Sequence, residues 1–404
     1  MRSFLIEDTL ISVGENCLAS DYCYTVINYS DWRTGLNYRS DTFYIDGIVG
    51  DMNSNNSILS PAAINVYKGK LFVGLNFGVE KGLGYKWNTD VLDVGSKEFL
   101  QLDLNVDTFN SRIKSIITNQ SKNIVGVLWS FPVNPQCSIP NYKLFNCSSN
   151  DCIEFYEIIN PKNCSLTSSN TEINDAFVSR DGEMLLLSVS AIRNGGQYNQ
   201  SYLRRVHLSE GFKDQIRFDD NDSIMIDGLQ VIEKRGGNYL GIWNDLFYKP
   251  YMHPIDSIRF ATINDSCSLI MAEVDYETGK VLWRKNFRRY LQQQMSRGEG
   301  ITKAETLHDF KVKQAISVPD GIVWAGTRTR YQRIKPTSID MPFLFKTDFI
   351  GNPIWYRDYV VYPDDENDEG VILNSILQTP DGGIVMAGES INFGRKKVQR
   401  SILI

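Results

Sequence analysis

The sequence predicts an all-β fold: a seven-bladed β-propeller of four-stranded antiparallel blades with one short helical insert, built as a single domain over residues 1–404. Three observations predict it. An apolar strand, a tight Asp/Gly turn and a second apolar strand recur seven times along the chain, and the intervals between these turns are nearly equal. Four short strands per unit cannot bury both faces of so small a sheet, whereas stacking the sheets radially can.

The clearest unit is ILNSILQTPDGGIVMAGES (372–390), where Asp381, Gly382 and Gly383 turn the chain between two strands. Glycine tolerates the positive φ that short hairpin turns demand. VKQAISVPDGIVWAGTRT (312–329) aligns with it almost residue for residue, with Asp320 and Gly321 at the turn. Weaker copies begin near residues 61, 113, 173 and 227, and RSFLIEDTLISVGEN at the start reads as a further one. The second turn residues are Asp8, Gly69, Asn123, Gly182, Gly237, Gly321 and Gly382, with separations of 61, 54, 59, 55, 84 and 61. The long interval holds the insert, about 285–311, whose Gln-rich and charged centre predicts a short helix between the expected fifth and sixth units. The later half of each unit recurs in SLIMAEVDYETGKVLWRKNF (268–287) and PFLFKTDFIGNPIWYRDY (342–359), each with a glycine turn (Gly279, Gly351) and a strand carrying Trp283 or Trp355.

The first of these segments, with Asp275, Thr278, Gly279 and Trp283, resembles the repeat of pyrroloquinoline-quinone-type propellers. The second, together with TPDGGIVMAGES, resembles the propeller repeats of secreted surface proteins of Bacteroidota. These resemblances cover the C-terminal third and imply a fold more than an activity. No adjacent-cysteine pair is present, so the tryptophans are read as packing between blades and no cofactor is expected.

Twenty Tyr, twenty Phe and seven Trp supply ample core material, and a net charge of −6 gives no global support to nucleic-acid binding. No apolar run approaches the roughly 20 residues of a spanning helix, and acids occupy the start where a signal peptide's apolar stretch would lie. Seven cysteines are present, and Cys137, Cys147, Cys152 and Cys164 crowd one polar, Asn- and Ser-rich stretch. That clustering suits disulfides in an oxidising compartment, with Cys17 paired to Cys23, the other four paired among themselves, and Cys267 left as a buried thiol; free or metal-binding thiols are the alternative, against which stands the lack of any C-x-x-C pair. Export would then mean that a signal was removed ahead of this numbering.

Catalytic anchors are scarce. His207, His253 and His308 fall in separate units, so neither a metal site nor a Ser-His-Asp triad is expected. The acidic run YPDDENDEG (362–370) has alternating acids but lacks the glycine and final glutamate of a calcium loop, and reads as a solvated linker. The insert's Arg284, Lys285, Arg288, Arg289, Arg297 and Lys303 make a basic patch, read as an exposed helix face, with a site for an acidic partner as the alternative.

The expected function is non-catalytic binding or scaffolding outside the cytoplasm, at the cell surface or in the periplasm. Its partner would be a protein or glycan, with no membrane span. The alternative is a propeller-fold glycan-cleaving hydrolase or lyase, which needs two facing carboxylates. The long second-to-third-strand connections gather aromatics and cations. Tyr85, Lys86, Trp87, Tyr248, Tyr251, Arg328, Arg330 and Arg333 are therefore the expected ligand-binding residues.

Overall fold

The computed structural model describes residues 2–19, 22–34, 36–43, 57–68, 70–81, 84–93, 98–99, 112–134, 137–146, 153–158, 170–193, 198–216, 225–234, 236–246, 248–252, 260–264, 268–298, 306–332, 338–359, 370–391 and 401–402. The chain is an all-β propeller with a single described α-helix. Strands β1 (Arg2–Ile6), β2 (Thr9–Ala19), β3 (Tyr22–Asp31), β4 (Asn37–Phe43), β5 (Ser57–Tyr67), β6 (Lys70–Lys81), β7 (Gly84–Asp93) and β8 (Glu98–Phe99) form one eight-stranded sheet. Its two antiparallel halves are joined where Cys23 of β3 pairs in parallel with Ile58 of β5.

Five separate blades follow. The first contains β9 (Arg112–Asn119), β10 (Ile124–Asn134), β11 (Cys137–Asn146) and β12 (Ile153–Ile158). The second contains β13 (Asn170–Val178), β14 (Met184–Arg193), β15 (Tyr198–His207) and β16 (Gly211–Ile216). In the third, β17 (Met225–Glu233) and β18 (Tyr239–Leu246) precede a two-stranded ribbon, β19 (Tyr248–Met252) and β20 (Phe260–Asn264), before β21 (Ser268–Val274) and β22 (Val281–Asn286) complete the blade. Helix α1 (Arg288–Gly298) stands in the predicted insert. The fourth blade is β23 (Thr306–Val318), β24 (Gly321–Gln332), β25 (Ser338–Thr347) and β26 (Pro353–Asp358). The fifth is β27 (Gly370–Gln378), β28 (Ile384–Ile391) and β29 (Ser401–Ile402).

The expectation of seven blades is therefore corrected to five. Evenly spaced turns count hairpins, and hairpins do not determine which neighbours hydrogen-bond into one sheet. The first two repeat units merge through the β3–β5 pairing instead of standing as blades of their own. A second correction concerns the expected long connections. Much of their length is strand, as in the β6–β7 hairpin and the β19–β20 ribbon.

The first strand of each blade carries a register shift near its middle, between Ile113 and Ser115, Ile173 and Asp175, Asp227 and Gln230, Val312 and Gln314, and Leu373 and Ser375. A bulge leaves backbone groups without a ladder partner. Polar side chains of the preceding sheet take several of them. Asn76 Oδ1 accepts from the Ile113 amide (2.8 Å), Ser188 Oγ donates to the Leu229 carbonyl (2.5 Å), Gln314 Oε1 accepts from the Ile376 amide (2.8 Å), and Thr327 Oγ1 accepts from the Leu373 amide (3.0 Å).

The core lies between sheets. Ile117, Leu128 and Leu144 of the first blade meet Leu185, Leu187 and Val206 of the second. Met184, Leu186 and Leu203 meet Leu229, Trp243 and Ile270. Leu240, Ile242 and Met271 of the third blade, with Phe287 and Leu291 anchoring α1, pack against Phe310, Trp324, Phe343 and Phe345 of the fourth. Val323, Ala325 and Leu344 then meet Leu373, Ile376 and Met386. The ring closes by packing, where Leu10 and Trp32 of the eight-stranded sheet meet Val385 of the fifth blade.

The third-to-fourth-strand turns of the third and fourth blades also seat on the preceding blade. Gly351 (φ 75°) sits over Trp283, and a Cβ there would lie 2.6 Å from the indole ring. Gly382 (φ 87°) has open space around it instead. We expect Gly351→Ala to destabilise the protein by about 2 to 4 kcal/mol, combining backbone strain with overpacking, and Gly382→Ala by only about 1 kcal/mol from strain. Chemical denaturation of the two variants checks this; equal losses would contradict the seating of Gly351 on Trp283.

Candidate functional site

Both the first-to-second and the third-to-fourth turns lie at one end of the sheets, and their carboxylates brace the backbone. Asp275 Oδ1 accepts from the Thr278 amide and hydroxyl, both at 2.7 Å. Asp31 Oδ1 accepts from the Arg33 and Thr34 amides (2.8 and 2.9 Å). Asp348 Oδ1 accepts from the Asn352 and Ile350 amides (2.7 and 3.0 Å), and Asp381 Oδ1 accepts from the Thr379 hydroxyl and the Gly383 amide. These are Asx-type turns, in which a short acidic side chain satisfies amides that the bend leaves free. Burial pushes the Asp348 carboxyl up, but the Asn352 and Ile350 donors and the nearby Lys285 charge together hold it below the ordinary carboxylate range.

A denser network joins the second and third blades. Asp181 accepts from the Ser179 hydroxyl, the Glu183 amide (2.9 Å) and, across the interface, the Tyr276 phenol (2.9 Å). Burial pushes its carboxyl up, yet these three donors bring it below its usual value. Glu233 lies close by and accepts from the Arg180 amide (2.8 Å), but burial raises its carboxyl above the usual range. Burial, and then the bond to Asp181, pushes the Tyr276 phenol up to about 12. Tyr239 is fully buried beside Tyr276, with ring centroids 5.5 Å apart, and its hydroxyl has no partner among the described residues.

Below this network Arg205, 1% exposed, grips the Asp214 carboxylate and donates to the Tyr276 carbonyl of the next blade. In the third blade Glu273 accepts from Lys234 (2.9 Å), Asn238 (2.8 Å) and the Trp283 indole (2.7 Å). The sequence signal for this layer was an aromatic residue directly after the turn aspartate. It recurs as Trp32, Tyr276 and Phe349, and the strand pattern alone did not single it out.

The expected ligand-binding residues fall on several elements. Tyr85, Lys86 and Trp87 lie in β7, near the tip of the β6–β7 hairpin, and Tyr248 and Tyr251 lie in the β19–β20 ribbon. Arg330 lies in the distal half of β24, opposite His308 and Ile339, while Arg333 is outside the described residues. Arg328 is corrected from a surface residue to an interior one. It sits within β24, 1% exposed, ion-paired to Asp358 at 3.0 Å with its guanidinium 3.7 Å from Met341 Sδ. The long apolar run of β24 buries this position against the neighbouring sheets.

The register sets Cys17 directly opposite Cys23 on β2 and β3, and Cys137 opposite Asn134 on β11 and β10. Cys147, Cys152, Cys164 and Cys267 lie outside the described residues, as does most of the acidic run 362–370. No group of three or more metal-ligating side chains occurs among the described residues. None of the described helices is long and apolar enough to cross a membrane.

The fold defines the chain as a β-propeller protein. No family model matches the sequence, and no curated protein matches it. Solved structures with a similar fold include an ulvan lyase from a new family of polysaccharide lyases, with TM-score 0.49 and 9% identity over 96% of this chain and 88% of that one. Another is the β-propeller domain of the Trilobed protease from Pyrococcus furiosus, described as having an open velcro topology, with TM-score 0.45 and 11% identity over 98% and 93% of the two chains. A third is an endo-arabinase from Bacteroides thetaiotaomicron, with TM-score 0.37 and 9% identity over 72% and 93%.

The turn aspartates make a pH prediction. A carboxyl whose folded pKa is depressed contributes stability that is present above its unfolded pKa of about 3.9 and is lost as pH falls through the folded value. Asp348→Asn keeps an acceptor but removes the charge. It should lower Tm at neutral pH, and the deficit should shrink as pH falls below about 4, where the parent loses the same contribution. Calorimetry across that range checks this, and a deficit independent of pH would contradict it. Glu233 has the opposite sign, because its raised folded pKa makes stability decline as pH rises through that value.

Proposed function

We propose that this protein is a binding or scaffold propeller acting outside the cytoplasm, without catalysis, on a protein or glycan at the cell surface or in the periplasm. The observation that carries the reading is the division between the two ends of the sheets. At the turn end, Asp31, Asp181, Asp275, Asp348 and Asp381 are committed to bracing turns and Glu273 to an internal network. At the other end, the β6–β7 hairpin, the β19–β20 ribbon and the distal half of β24 extend from the second and third strands and carry Tyr85, Lys86, Trp87, Tyr248, Tyr251 and Arg330. Aromatic residues with interspersed cations on a rigid scaffold are the composition of recognition surfaces.

A glycan-cleaving reading draws on Glu233 and Asp181, whose environments push their protonation apart as an acid and base require. Both Asp181 oxygens already accept hydrogen bonds that brace the turn and the blade interface. That supports binding over catalysis.

The test replaces Trp87, Tyr251 and Arg330 together by Ala and screens the protein against glycans and cell-surface proteins of its own source. We expect partner affinity to fall by at least about a hundred-fold, as for the loss of several hot-spot residues, with Tm little changed. Undiminished binding in the folded variant would overturn the assignment of this end as the recognition face.

A further inference from the structure

A cleft of ≈ 550 Å³ opens between the start of α1 and the third-to-fourth-strand turn of the fourth blade. We propose that it binds an acidic saccharide, a sugar carrying carboxylate or sulfate. The volume falls within the range of small-ligand sites, roughly 300–1,000 Å³. The site is independent of the recognition face proposed above, because it lies at the outer edge of the ring beside the turn end.

Among the described residues that line the cleft two are cations and none is acidic, although the chain as a whole carries a net charge of −6. Lys285 is held in place rather than left mobile. Its ammonium donates to the Ile350 carbonyl (2.6 Å) and Asn352 Oδ1 (2.8 Å) and lies 5.2 Å from the Trp283 ring centroid. An ammonium has three donors, so one remains after these two contacts. Arg289 is exposed on the first turn of α1 and has no carboxylate partner among the described residues. Asp348, behind Asn352, is engaged by the Ile350 and Asn352 amides and by Asn352 Nδ2 (2.8 Å) and feels the Lys285 charge only at a distance, so Arg289 is the cation of the cleft with no neighbouring carboxylate among the described residues. A fixed ammonium beside a free guanidinium suits a carboxylate or sulfate, for which the guanidinium offers a bidentate fork.

The rest of the lining favours a sugar over a peptide. Asn286, Gln293 and Asn352 bring three carboxamides, each with two donor hydrogens and two acceptor lone pairs, so the bonds from the Arg288 amide to Asn286 and from Lys285 to Asn352 leave capacity for hydroxyl groups. The Tyr290 ring is steadied against Phe345, with centroids 6.0 Å apart, and offers an apolar body with a polar tip. An acidic peptide would need an apolar anchor pocket as well as charge. The large apolar side chain at the cleft, Phe287, is already spent in the core, edge-on to Phe345 at 4.9 Å.

Isothermal titration with trigalacturonate, its methyl ester and hexaglutamate tests the proposal on the intact protein. We expect trigalacturonate to bind with an affinity that declines as salt rises, because the partly exposed charges are screened, and the uncharged ester to bind at least about ten-fold more weakly. Arg289→Glu should weaken trigalacturonate at least about ten-fold, while Arg289→Lys keeps the charge and stays within about three-fold. Thermal melts confirm that both variants fold. Absence of trigalacturonate binding, equal binding of the ester, or indifference to Arg289→Glu would overturn the proposal. Binding of hexaglutamate alone with the same Arg289 dependence would reassign the cleft to acidic peptides. Loss of binding in the Trp87, Tyr251 and Arg330 variant bears only on the other end of the sheets, so the two readings fail separately.

Discussion

The inner strand of a blade breaks its own ladder at a bulge and takes the missing partner from the sheet beside it. Asn76 serves Ile113, Ser188 serves Leu229, and Gln314 and Thr327 serve Ile376 and Leu373. A buried amide or carbonyl left unpaired costs roughly 1–3 kcal/mol, so a blade separated from its neighbour would expose both apolar surface and unsatisfied backbone. The bulge bends the strand, and the neighbour's side chain makes that bend affordable. The same dependence recurs at the other edge of the third and fourth blades, where Gly279 seats over Arg205 and Ile216, and Gly351 over Trp283 and Met271.

This mutual dependence explains how the polar residues are distributed. Arg205, Glu273 and Asp181 look like functional groups when read singly, since they are charged, buried or perturbed. Their partners give each of them a structural role. Arg205 ties the second blade to the Tyr276 carbonyl of the third, Tyr276 returns a hydrogen bond to Asp181, and Glu273 collects three donors within the third blade. Buried charges persist when they are paired and hydrogen-bonded, and these pairs fix how one blade sits on the next.

The hairpins were legible in the sequence because they rest on local chemistry: Asp and Gly at turns, and β-branched and aromatic residues alternating beside them. TPDGGIVMAGES and VPDGIVWAGT each became the turn and second strand of a blade. The helix in the insert was legible from its change of composition and stands at Arg288–Gly298. The blade number was not legible, because it turns on the pairing of Cys23 with Ile58, a contact between residues 35 positions apart that no local pattern announces. Arg328 was misread for a related reason. A cation in a run of alternating Thr and Arg looks exposed, and only the arrival of Asp358 from β26 and Met341 from β25 shows it to be interior. Lys285 and Arg289 were legible as members of a basic patch, but the meeting of Lys285 with Asn352 across a blade interface was not.

The dependence of each inner strand on its neighbour is tested most directly by native-state hydrogen exchange at the amides of Ile113, Leu373 and Ile376, whose acceptors are side chains of the adjacent sheet. If those bonds hold the sheets together, the three amides will exchange only through the same large opening that releases the ladder amides of β10 and β28, with matching free energies. Exchange that is much faster than in those ladders, through a small local opening, would contradict the account and leave apolar packing alone to hold the ring.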